Sequence, residues 1–215
     1  LNELAESSRH TKLQLALWLP LARVFAKFML FVLGPVRIRG SYRVPKTGPV
    51  LVLANHVSDI DPIIVQSACH RALHFMAKSE LFEIPIVGRL QRAFGSFAVV
   101  RGTPDRAALK QAASLLHDEG AVAIFPEGQI SEDGNLQEIK AGVAIIIRMC
   151  PGVPVICCGI QGAQRIIPYG SVFPRPALHR VDVTWGEART FEKTTTTEEI
   201  LGWISGQLLE LSTPS

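Results

Sequence analysis

The chain has 215 residues, 47% of them hydrophobic and only 19% charged, with a net charge of +3. That length suits one domain with a full core. The balance is apolar and mildly basic, and no basic run is interleaved with aromatics, which argues against nucleic-acid binding and is compatible with attraction to anionic lipid headgroups.

The most apolar stretch is residues 13–33, LQLALWLPLARVFAKFMLFVL. It has the roughly 20 residues a membrane-crossing helix needs, but it carries Arg23 and Lys27, four apart and so on one helical face. Pro20 would bend or divide the helix. Residues 1–34 are therefore expected to form an amphipathic helical anchor that lies in the headgroup layer, with its cations reaching up to water. No small-residue cleavage site follows the apolar run, so it does not read as a signal peptide. Residues 35–215 are expected to form the catalytic domain.

From Val36 the pattern alternates strand and helix. Strands are expected at 36–40, 49–54, 73–77, 96–100, 121–125, 153–160 and 180–185. Helices are expected from about Asp59 through Ser67, within 84–94, and over 104–118, 141–149 and 197–211. Pro104 suits the first turn of the third of these and Gly120 ends it. This alternation argues for an α/β fold with a mostly parallel central sheet flanked by helices. The four cysteines, Cys69, Cys150, Cys157 and Cys158, have neither CxxC nor zinc-ligand spacing and read as small buried hydrophobes in a reduced compartment.

Three segments carry candidate chemistry. Residues 54–62, ANHVSDIDP, follow a buried strand and precede a helix, a place where side chains are held firmly while the loop stays open. His56 has the side-chain type suited to a general base. Such a base needs a carboxylate to hold its tautomer, and both Asp59 and Asp61 are near enough in sequence. A metal site from His56, Asp59 and Asp61 is a further alternative. Residues 94–101, FGSFAVVR, close a strand on Arg101, whose guanidinium suits a phosphate. Residues 124–131, IFPEGQIS, hold Glu127 in a tight Pro-Glu-Gly turn, where Gly128 lets the backbone approach a ligand. The apolar segment 152–159, GVPVICCG, is compatible with a core strand or with one wall of a lipid groove.

Together these segments resemble the glycerophospholipid acyltransferases, the family of the lysophosphatidic acid acyltransferases. The family's NHxSxxDP motif is matched by Asn55, His56, Ser58, Asp61 and Pro62. Its second motif is matched by Gly95 and Arg101, and its FPEGTRS motif by Phe125, Pro126, Glu127, Gly128 and Ser131. Its short VPV segment is matched by Val153, Pro154 and Val155. Order and spacing agree over roughly residues 36–185.

The resemblance implies that Asp61, not Asp59, partners His56 in an HX4D pair. It also implies an O-acyltransferase of phospholipid biosynthesis with no cofactor or metal. Such an enzyme takes an acyl group from acyl-CoA or acyl-carrier protein and passes it to a lysophospholipid acceptor, most simply lysophosphatidic acid; the alternatives are acylation of glycerol 3-phosphate or another lysophospholipid, or a non-catalytic lipid-binding module. The anchor and the resemblance place the protein on a membrane lipid surface, at the cytoplasmic face, as a monotopic protein. Arg101, Glu127, Gly128, Lys78, Lys140 and Ser58 are the expected substrate-binding residues, Lys78 and Lys140 by likeness to lysines near the second and third motifs. No GxSxG elbow is present, so no covalent acyl-enzyme is expected. One departure stands out: the third motif's Thr-Arg is Gln129-Ile130 here. A charge-assisted phosphate contact is worth roughly 1.5–3 kcal/mol against about 1 for a neutral hydrogen bond, so the change weakens phosphate binding unless Arg101, Lys78 or Lys140 substitutes.

Overall fold

Val50, Leu51, Val52, Leu53 and Ala54 are all buried, and their strand occupies the middle of a seven-stranded sheet. The computed structural model describes residues 35–93, 95–100, 105–171, 173–175 and 180–213. In chain order the elements are β1 (Val36–Arg39), β2 (Val50–Ala54), α1 (Asp61–Ala68), β3 (His74–Lys78), α2 (Pro85–Ala93), β4 (Phe97–Val99) and α3 (Arg106–His117). They continue with β5 (Ala121–Ile124), α4 (Gly142–Met149), β6 (Val155–Gln161), β7 (Val181–Trp185) and α5 (Thr197–Ser212). The strands run in the order β1-β7-β6-β2-β5-β3-β4. Every neighbouring pair is parallel except β6 and β7.

Because strand side chains alternate between faces, β2 feeds two cores. Val50, Val52 and Ala54 join Ile60, Ile64 and Val65 at α1, with Trp185, on one face. Leu51 and Leu53 join Ala112 and Leu116 of α3, Val143 and Ile147 of α4, and Ile200 and Ile204 of α5 on the other. A strand covered on both faces reads as a continuous apolar run, as VLVLA does. The expected α/β sheet flanked by helices is thus found. The anchor expected over residues 1–34 lies outside the described residues. Among the described residues no helix is long and apolar enough to cross a membrane.

Two helix ends differ from the sequence reading. Helix α3 starts at Arg106, with Asp105 as its cap: Oδ1 accepts from the N–H groups of Ala107 and Ala108, both at 3.0 Å, and Oδ2 from that of Val100 at 2.9 Å. The cap satisfies amides that the first turn leaves without partners. At the other end it is Glu119, at φ 60, that takes the left-handed position. Gly120 is needed for a different reason, since a Cβ there would lie 2.6 Å from the Leu115 carbonyl oxygen. The four cysteines are free and buried, and burial pushes the Cys157 thiol up to about 12.

Helix α5 runs along β6, and its last turn sits directly on Gly159: a Cβ at that position would collide with the backbone of Leu211. Gly159→Val is therefore expected to lift α5 off the sheet. The overpacking cost is about 1–3 kcal/mol, measured as a lowered urea midpoint with an unchanged slope. An unchanged midpoint would show that the helix end yields freely.

Candidate active site at the end of strand β2

Where β2 ends, the chain turns through His56, Val57 and Ser58 into α1, and Asp61 in the first turn of α1 organises that turn. Its Oδ2 accepts three hydrogen bonds: from His56 Nδ1 at 2.9 Å, from the Val57 N–H at 2.7 Å and from the Ser58 N–H at 2.7 Å. Asp61 is fully buried and its Oδ1 has no partner among the described residues. Burial pushes its carboxyl above the usual carboxylate range, against the opposing pull of the His56 ring and the two amides. With Nδ1 donating to a carboxylate, the neutral ring carries its lone pair on Nε2. The ring lies on Phe125, with centroids 4.2 Å apart and planes 21° from parallel. Asp59 stays exposed. Among the described residues His56, Asp59 and Asp61 do not form a metal-ligand group.

Three further contacts lock this turn to its neighbours. Asn55 continues the β2–β6 pairing with its side chain, because Nδ2 donates to the Ile160 carbonyl at 2.9 Å and Oδ1 accepts from the Ile160 N–H at 2.7 Å. The Ser131 N–H donates to the His56 carbonyl at 2.8 Å. Glu127 Oε1 accepts from the His56 N–H at 2.7 Å, and Oε2 from the Gln137 N–H at 2.7 Å. Burial raises the Glu127 carboxyl, with these two amides opposing.

The expected substrate-binding residues fall into three groups. Glu127 and Ser58 are buried. Glu127 is only 1% exposed and both its oxygens are bonded to backbone amides. Ser58 is fully buried, and its hydroxyl donates to the Ile167 carbonyl at 2.9 Å. These bonds brace the turn from within the protein. Gly128 and Lys140 lie on the loop after β5 and Lys78 ends β3, all at the same edge of the sheet. Gly128, at φ 73, lies beneath the Lys140 stem, with 3.8 Å from an added Cβ to Cγ. Lys140 Nζ pairs with Glu138 at 2.8 Å and Lys78 Nζ with Glu80 at 2.9 Å. Arg101 lies outside the described residues. The sequence reading passed over the roles of Phe125 beneath the ring and of the Asn55 amide as a ladder rung. Both were visible only as motif letters.

Residues 35–161 match the protein-family model described as Acyltransferase. The chain is 29% identical over 154 residues to a chloroplastic 1-acyl-sn-glycerol-3-phosphate acyltransferase, LPAT1, of Arabidopsis thaliana, covering 70% of this chain and 43% of that protein. It is 28% identical over 163 residues to the 1-acyl-sn-glycerol-3-phosphate acyltransferase of Bacillus subtilis, covering 73% of this chain and 80% of that one. The chain thus spans less than half the length of the plant relative. Among solved structures, the crystal structure of the 1-acyl-sn-glycerophosphate acyltransferase PlsC from Thermotoga maritima superposes with a TM-score of 0.75 at 26% identity. The match covers 89% of this chain and 77% of that one.

Asn55→Ala would strip partners from both polar groups of buried Ile160. Each orphaned buried group costs about 1–3 kcal/mol, so the variant is expected to lose stability on that scale. Amide exchange should rise at Ile160 more than at Val52. Unchanged protection at Ile160 would mean that the Asn55 bridge does not hold the strand ends together.

Proposed function

The chain belongs to the acyltransferase family, and we propose that it moves an acyl group from a thioester, acyl-CoA or acyl-carrier protein, onto the free hydroxyl of a lysophospholipid. The acceptor proposed is lysophosphatidic acid, with phosphatidic acid as product. The observation that carries this is the contact between His56 Nδ1 and Asp61 Oδ2, which leaves Nε2 as the basic nitrogen. The reaction would be metal-free and cofactor-free, and would take place on the cytoplasmic face of a membrane that the protein lies against rather than crosses.

Nε2 accepts the acceptor's hydroxyl proton as the oxygen attacks the thioester carbonyl. Asp61 holds the tautomer and stabilises the imidazolium that forms. The tetrahedral oxyanion then collapses, the carbon–sulfur bond breaks, and Nε2 returns the proton to the leaving thiolate. A thioester is already activated, so the scheme includes no acyl-enzyme. Phe125 keeps the ring in one plane. Asn55, Glu127 and Ser58 act as positioning residues through the backbone of the turn. Gly128 lets substrate approach the loop, and Arg101, Lys78 and Lys140 would share the acceptor's phosphate. Ile130, half-buried where the family motif has arginine, favours a second reading in which the acceptor is a lysophospholipid with a different headgroup.

His56→Ala is expected to lower kcat by about 10²–10⁴-fold, the usual worth of a positioned base. Asp61→Asn, which upsets the tautomer, should fall by up to about 10⁴-fold. Both should leave KM close to that of the parent and the protein folded, with some loss of thermal midpoint because a buried pair is broken. Thiol release from acyl-CoA in the presence of lysophosphatidic acid measures this, and retained turnover in His56→Ala would sink the mechanism. Mass spectrometry of products from a lysolipid panel decides the acceptor. Lysophosphatidic acid is expected to be turned over fastest, and a preference for a larger headgroup would favour the second reading.

A further inference from the structure

Two segments leave the sheet on either side of the site and are alike in composition. One is residues 84–92, IPIVGRLQR, which follow β3. The other is residues 163–175, AQRIIPYGSVFPR, which follow β6. Neither contains an Asp or Glu, and each contains two arginines. Each also displays large apolar side chains to solvent: Ile84 is 47% exposed, Tyr169 53% and Phe173 80%. Arg89, Arg92, Arg165 and Arg175 are exposed. Acidic residues of this edge lie outside the two segments: Asp59 follows β2, Glu80 and Glu83 stand between β3 and Ile84, and Glu132, Asp133 and Glu138 belong to the loop after β5. His56, at the end of β2, lies between the two segments, since β6 borders β2 on one side and β5 and β3 follow on the other.

The second segment is held in a fixed frame. The Arg175 N–H donates to the Ile166 carbonyl at 2.8 Å and closes the loop at its base. Ser58 Oγ ties Ile167 to the His56 turn at 2.9 Å. Tyr169 stands close to the Glu132 carboxylate, which pushes its phenol above the usual range. Phe173 is thus presented to solvent by a braced loop. On the first segment, Arg92 bonds the Phe82 carbonyl at 3.2 Å and lies over the Phe82 ring, 5.8 Å from its centroid. An exposed aromatic or aliphatic tip flanked by arginines matches a lipid interface. There the apolar tip enters the acyl boundary and the guanidinium groups meet phosphates. The tips stand on two separate loops rather than in one groove, which suits a planar partner better than a folded one.

We propose that the rim of the site is itself a membrane-docking surface: the loops bearing Ile84 and Phe173 insert on either side of His56 into an anionic bilayer. This deepens the acyltransferase reading by naming the surface through which a lipid acceptor would reach Nε2. It is separate from any contact made by residues 1–34.

The test uses the full chain, with Ile84→Cys, Phe173→Cys and, as control, Met149→Cys at the end of α4 on the opposite edge of the sheet. The native thiols are buried, so a polarity-sensitive dye reports the introduced positions. Mixed phosphatidylglycerol–phosphatidylcholine vesicles are expected to blue-shift the emission at 84 and 173 and leave 149 unchanged. Phosphatidylcholine alone should give a smaller shift. Vesicle flotation with no shift at 84 and 173 would overturn the proposal, as would no flotation at all. A shift produced by acyl-carrier protein without vesicles, and not by vesicles, would overturn it in favour of a protein-docking face.

In a second arm, Ile84→Asp combined with Phe173→Asp should lower turnover of vesicle-borne lysolipid at least several-fold. Turnover of a short-chain, monomeric lysolipid should be preserved. Equal loss on both substrates, or no loss on either, would overturn the proposal. The dye readout needs no turnover, so failure of the acyltransferase reading would leave the docking result standing.

Discussion

The site depends on one buried oxygen atom. Asp61 Oδ2 gathers the His56 ring, the Val57 N–H and the Ser58 N–H within 2.9 Å, and in doing so it makes five residues fold into a single hard turn. A buried carboxylate is costly unless donors surround it. Here the donors come almost entirely from the turn that the carboxylate creates. The arrangement is therefore self-consistent: without Asp61 the amides of Val57 and Ser58 have no reason to converge, and without that convergence Asp61 could not be buried. The four-residue spacing between His and Asp is the length that lets a helix's first turn reach back to the end of the preceding strand.

Around that atom, the ends of three parallel strands are joined into one piece. Asn55 fastens β2 to β6 through Ile160. Glu127 and Ser131 fasten β2 to the loop after β5 through the backbone of His56. These links are made to main chain rather than to the ring, so they fix where the imidazole stands while leaving Nε2 free of protein partners among the described residues. The Phe125 ring stacks against the imidazole. A positioned group supported by a ring of satisfied polar contacts is what precise chemistry requires of a scaffold.

Much of this was legible in the sequence, for identifiable reasons. The strands and helices were read because an apolar run such as VLVLA and the proline and glycine punctuation around 104–120 are local signals. The His56–Asp61 pair was read because both ends of the contact lie within six residues. What escaped was long-range. Glu127 meets His56 across 71 positions and Asn55 meets Ile160 across 105, and no spacing rule carries such pairs. The sequence likewise does not show that the Glu127 carboxylate, in its Pro-Glu-Gly turn, is met by two backbone amides. The left-handed residue ending α3 was assigned to Gly120 on propensity. The collision of a Cβ with the Leu115 carbonyl shows that the glycine serves packing, while Glu119 accepts the strained conformation.

The electrostatics of the site follow from how its two carboxylates are satisfied. Asp61 and Glu127 both lie close to His56, both are buried, and both are held mainly by backbone N–H groups rather than by lysine or arginine. Amide dipoles solvate a negative charge without cancelling it, so the ring stands in a negative field while it is neutral. A fixed cation beside Asp61 would have balanced that field and penalised any further positive charge. In the proposed reaction the imidazolium appears only as the acceptor's proton moves. The field then stabilises the charged ring more than the resting one, which is the differential stabilisation that accelerates a step. Lys78, at the end of β3, and Lys140, on the loop after β5, have acidic partners of their own. They can meet a phosphate there without weakening the pull on His56. Ile130 fits the same division: an apolar side chain on the loop bearing Glu127 brings no positive charge near the ring.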